Sequence, residues 1–128
     1  MTKTSPETPN LLKPVDHVIL AFADEAVLRD ASAALAEAGF EGAAVHEYTA
    51  VEMHTALNAE LEASGPLASL GQDTNLAEFR RKLAADGHGW LVVHAPAEEQ
   101  TAQVTDIARR SGARLAQKFT RFTIEELV

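Results

Sequence analysis

Two stretches of this chain share one layout at nearly one length, and that repetition limits the possible folds more than any other feature. The first, VILAFADEAVLRDASAALAEAG, runs from Val18 to Gly39; the second, LVVHAPAEEQTAQVTDIARRSG, runs from Leu91 to Gly112. Each opens with a short apolar run, passes acidic residues, continues at helical spacing and stops at glycine. In the first, Asp24 suits an N-cap, and Val27, Ala31, Ala34, Leu35 and Ala38 recur as one buried helical stripe. In the second, Thr101, Val104, Ile107, Ala108 and Ser111 fall on a similar face. Gly39 and Gly112 stand where a helix ends in the left-handed conformation that a Cβ disfavours. Identity between the halves is low, so the match is one of architecture.

Each repeat is followed by a further strand candidate, Gly42–Tyr48 and Arg114–Arg121. The order β-α-β, insertion, β-α-β predicts an α+β chain on the ferredoxin-like plan. That plan is a four-stranded antiparallel sheet of order 4-1-3-2 with both helices on one face. Pro6, Pro9 and Pro14 mark residues 1–14 as an extended N-terminal tail, leaving 15–128 as a single domain with a helical insertion at about 49–87. Thr49 with Glu52 reads as a capping box opening a helix that contains Met53, Leu57 and Leu61 and is broken at Ser64-Gly65-Pro66. A second insertion helix is predicted from Asn75 to Asp86, with Asn75 and Glu78 as its capping box and Gly87 closing it. Gly87-His88-Gly89 reads as a turn, and Thr123 with Glu126 suits a last helical turn.

Composition narrows the functional classes. The chain has 128 residues, 46% of them hydrophobic, which suffices for one packed core. It has no cysteine, so disulfides, thiolate metal sites and a cysteine nucleophile are excluded together. A formal charge of −8 repels phosphate backbones and argues against generic nucleic-acid binding. No apolar run approaches the roughly 20 residues that cross a bilayer, and the first fourteen residues lack the apolar core of a secretory signal. The expectation is a cytoplasmic protein without membrane attachment and without a cofactor.

The opening VILAFADEAVLRDASAALAEAGF is similar to that of the bacterial heat-induced and general stress-protein family, with its hydrophobic strand, acidic turn and Ala-rich helix ending in Gly-Phe. The later FRRKLAADGHGWLVVHAPAEEQTAQVTDIARRSGA resembles that family's second half. Together these cover somewhat under half the chain. The family's long glycine-rich middle is replaced here by the insertion carrying Met53, His54, Leu57 and Leu61. The resemblance implies a stress-associated bacterial protein and brings no catalytic residues with it.

Strand parity assigns the candidate site. Val18, Leu20 and Phe22 with Leu91 and Val93 should face the helices; His17, Ile19 and Ala21 with Trp90, Val92 and His94 should line the opposite face. If Ile19 pairs with Val92, His17 lies opposite His94, with Cβ atoms about 4.5–5.5 Å apart. His46 and Tyr48 share a parity on the neighbouring strand and join the same face. The candidate ligand-binding or interface residues are therefore His17, His46, Tyr48, Trp90 and His94.

Metal binding by His17, His46 and His94 lacks motif-like spacing, and a histidine base lacks an accompanying nucleophile or oxyanion motif. The face carrying Ile19, Trp90 and Val92 is too apolar to stay bare. Either a second subunit covers it, giving a homodimer anchored by Trp90, or the insertion folds back and leaves a small ligand pocket lined by Trp90, His94 and Tyr48. The function expected is a non-catalytic, stress-associated interaction or ligand-binding module that self-associates. The alternative is a small enzyme of the dimeric ferredoxin-like type with His94 or His17 beside a face pocket. Arg109-Arg110 and Arg80-Arg81-Lys82 read as helix-end charges, while Arg114, Lys118 and Arg121 form a basic strand able to attract an anion locally.

Overall fold

The computed structural model describes residues 14–40, 42–64, 88–120 and 124–128. The elements are β1 (His17–Phe22), α1 (Glu25–Glu37), a 3-10 turn (Gly42–Ala44), β2 (Val45–Tyr48), α2 (Ala50–Ser64), β3 (Gly89–His94), α3 (Glu98–Ser111), β4 (Leu115–Phe119) and β5 (Ile124–Glu126). They build an α+β arrangement with one antiparallel five-stranded sheet of order β2-β3-β1-β4-β5.

The two repeats end alike. After α1, Phe40 N–H bonds back to the Leu35 carbonyl and Gly39 N–H to that of Ala36, with Gly39 at φ 101°. After α3, Ala113 N–H reaches Ala108 and Gly112 N–H reaches Arg109, with Gly112 at φ 76°. Both are the same paired closure of the last carbonyls, and only glycine takes that φ without strain. At the other end of α1, the Asp24 carboxylate accepts from Val27 N–H at 2.9 Å, as its N-cap position predicts. Ala97 has no side-chain oxygen to offer α3; instead Gln100 Oε1 accepts from the Ala97 backbone N–H at 2.9 Å.

The core has two layers, one on each face of the sheet. On the first, Val18, Leu20, Phe22, Leu91 and Val93 pack against Leu28, Ala31 and Leu35 of α1 and Val104, Ile107 and Ala108 of α3. On the second, Ile19, Ala21, Trp90 and Val92 pack against Met53 and Leu57 of α2, with Leu115 and Phe119. The insertion helix therefore lies over the face that the alternative cover, a second subunit, would occupy. Its start is the expected capping box: Thr49 Oγ1 accepts from Glu52 N–H, and Glu52 Oε1 accepts from Thr49 N–H.

Three expectations need correction. The sheet has five strands, not four, because Ile124–Glu126 forms β5 where a helical turn was expected. β4 would otherwise end the sheet with its outer backbone groups unpaired, and a single helical turn orders several residues for one hydrogen bond, so edge pairing wins. The second strand candidate begins at Val45, because Gly42–Ala44 curls into the 3-10 turn with Gly42 at φ 60°. Gly89 opens β3 rather than closing a turn, and a Cβ there would come within 2.7 Å of Leu28 Cδ1, so glycine lets α1 approach the strand. The N-terminal tail up to residue 13, the Leu61 side chain, the second insertion helix and Arg80-Arg81-Lys82 lie outside the described residues.

Leu57→Ala should cost about 2–5 kcal/mol, the range for a leucine emptied from a closed core. Val51→Ala, on the same helix but 74% exposed, should stay within about 0.5 kcal/mol. Urea unfolding followed by emission of Trp90, the sole tryptophan, checks both; equal effects would mean that α2 does not seal this face.

Candidate functional site

The register brings the two predicted histidines face to face. β1 and β3 pair with Ile19 opposite Val92 and His17 opposite His94. Their imidazole centroids lie 4.9 Å apart with planes tilted by 51°. This corner is held by Asp16, a non-glycine residue at φ 66°. Its N–H donates to the Phe119 carbonyl at 2.8 Å and its carbonyl accepts from Ala95 N–H at 3.0 Å, tying the ends of β4 and β3 to the start of β1. Aspartate tolerates this conformation better than most residues.

His17 is half-buried, and its Nδ1 lies 2.8 Å from the Val15 carbonyl. A carbonyl can only accept, so Nδ1 carries the proton and Nε2 keeps its lone pair in the neutral ring. Burial lowers the His17 pKa below its ordinary 6.5; the Val15 carbonyl opposes this, charge on His94 and His46 adds to the lowering, and Asp16 opposes it. His94 is exposed.

His46 pairs with Val92 and Tyr48 with Trp90, so both belong to the same face. Trp90 is fully buried. Burial raises the Tyr48 pKa, with Glu60 and Glu52 adding to it. Tyr48 lines a pocket of about 170 Å³ beside Glu25, Leu28, Glu47, Thr49 and Gly89, whereas Trp90 and His94, its expected companions, do not. Among the described residues no three His, Asp or Glu side chains are grouped to hold a metal ion.

One feature of this face escaped sequence reasoning. Gln117, opposite Ile19 on β4, is buried; its Nε2 donates to Glu126 Oε2 at 2.6 Å, while its Oε1 has no partner. His46 Nε2 and Trp90 Nε1 are likewise buried without a hydrogen-bond partner. The three occur on one side of one sheet. Alternation along β4 could have placed Gln117 there, had the parity reasoning been extended to that strand. Lys118, expected on an anion-attracting strand, instead points inward beneath α3.

No family model matches the chain, and neither does any curated protein or solved structure. Among the described residues no helix is long and apolar enough to cross a membrane.

The lowered His17 pKa has a definite sign in stability. The unfolded chain binds the proton more tightly, so this contribution is complete above pH 6.5 and is lost as pH falls toward the folded value. Thermal melts should therefore drop between pH 7.5 and pH 5.5, and His17→Gln should flatten that segment of the curve. An unchanged slope in the variant would show that His17 is not the group responsible.

Proposed function

We propose that this chain is a non-catalytic module that binds a small polar ligand on the sheet face beneath α2. The observation that carries the proposal is the set of buried atoms without partners there, His46 Nε2, Trp90 Nε1 and Gln117 Oε1. Leaving such a group unpaired costs about 1–3 kcal/mol, so a molecule that pairs with it recovers that energy on binding. His46 is opposite Val92, two residues from Trp90. Diagonal neighbours of this kind sit about 7–8 Å apart, within the span of one small amide or alcohol. The indole N–H requires an acceptor from it.

The non-catalytic part of the proposal rests on the sequence, in which no nucleophile or oxyanion motif accompanies the histidines. Self-association is left out, because Ile19, Trp90 and Val92 are already fully buried within one chain. The ferredoxin-like plan belongs to the proposal too. Its support is the order β4-β1-β3-β2 within the sheet, with α1 and α3 packed on one face. A stress-associated setting rests on the resemblance of the two repeats alone.

The single indole N–H gives a test. In nitrogen-15 spectra, members of a library of small amides and alcohols should move the Trp90 indole peak saturably, and His46→Phe should abolish that movement. A library that leaves this peak in place overturns the proposal. Light scattering after size exclusion should give a 13.7 kDa particle; a dimer would return the homodimer expectation to favour.

A further inference from the structure

On the other face of the sheet, Lys118 is a charged side chain buried to 5% exposure. Parity places it under α3, opposite Val18 on β1 and Glu125 on β5. Its Nζ donates to the Ala95 carbonyl and to Thr101 Oγ1, both at 2.7 Å. Both acceptors are neutral. An ammonium has three donors and a full charge, and burial of a charge is costly unless something balances it. Among the described residues the ion pairs are Arg29–Glu25 and Arg110–Asp106, so no carboxylate balances Lys118 directly.

Lys118 forms part of the wall of an open groove of about 640 Å³ between α3 and the β4–β5 edge, shared with Glu98, Thr105, Arg109 and Glu125. Arg109 is exposed, and among the described residues its one long contact, 3.3 Å to the Leu127 carbonyl, leaves most of its guanidinium donors to the groove. The groove thus combines two cations, one of them buried, with the exposed carboxylates of Glu98, Asp106 and Glu125, of which Asp106 is paired with Arg110. A doubly charged anion such as phosphate meets those carboxylates and the net charge of −8 as repulsion. A molecule with one carboxylate and one ammonium meets complementary charge at both ends.

We infer that this groove is a binding site for a small amino-carboxylate. Lys118 and Arg109 take the carboxylate, and Glu98 and Glu125 take the ammonium. The groove and the α2-covered face lie on opposite sides of the sheet, so either proposal can fail without the other.

The test uses the full chain and three probes of equal length, 5-aminovalerate, valerate and pentylamine, titrated while backbone amide shifts of α3 and β4 are followed. 5-Aminovalerate should bind saturably, valerate several-fold more weakly, and pentylamine not measurably. Arg109→Gln, a surface change, and Lys118→Met, which keeps the aliphatic stem, should each weaken both carboxylates by about tenfold or more. Glu125→Gln should weaken 5-aminovalerate and leave valerate unchanged. Absence of carboxylate binding at millimolar concentration, or binding indifferent to Arg109→Gln, overturns the site. Equal affinity for valerate and 5-aminovalerate overturns the ligand class.

Discussion

The pairing of β1 with β3 is the constraint on which everything else hangs. From Val18 to Phe22 and from Trp90 to Val93 every side chain is fully buried, on both faces alike. Strands apolar on both sides are stable only inside a sheet, with cover above and below. Their register, Ile19 against Val92, decides which residues meet which cover. A slip of one residue would turn Val18 and Leu20 away from α1 and α3 and send Ile19 toward them. α1 and α3 supply one cover and α2 the other; without either, several large apolar side chains would meet water.

How much of this was legible follows from how local each signal is. The helix stops at Gly39 and Gly112, the Asp24 cap and the Thr49–Glu52 box are written within four or five residues, and each was found where the spacing put it. Face assignment on β1 and β3 needed only alternation. β5 was illegible because a three-residue strand has no periodicity, and its existence depends on an edge left open by β4. The cover of the second face was equally undecided. An apolar stripe of Met53 and Leu57 reads the same whether it meets its own sheet or a neighbour's, and only the geometry of the insertion chooses.

The candidate site divides in the same way. His17 opposite His94 was accessible, since both sit at matching ends of paired strands. Gln117 and Lys118, neighbours on β4, were accessible only in part, since alternation separates their faces but says nothing of their burial. Both belong to residue types that are mostly exposed, and composition assigns them to the surface. Each is buried for a tertiary reason: Gln117 finds Glu126 across β5, and Lys118 finds Ala95 and Thr101 at the start of α3. The stem of Lys118 adds apolar contact along the way, as long charged side chains do.

One residue joins the two sides of the sheet. Ala95 follows His94, its N–H donates to the Asp16 carbonyl, and its own carbonyl accepts from Lys118 Nζ. Asp16 in turn precedes His17 and is held by the Phe119 carbonyl. The imidazole pair on one face and the buried ammonium on the other therefore hang from the same few backbone atoms. Any change in the partners of Lys118 acts on the carbonyl of the residue that positions His94. Asp16 has little room to absorb that change, since its left-handed conformation is fixed by the Pro14–His17 turn bond that closes over it and by its own bonds to Phe119 and Ala95.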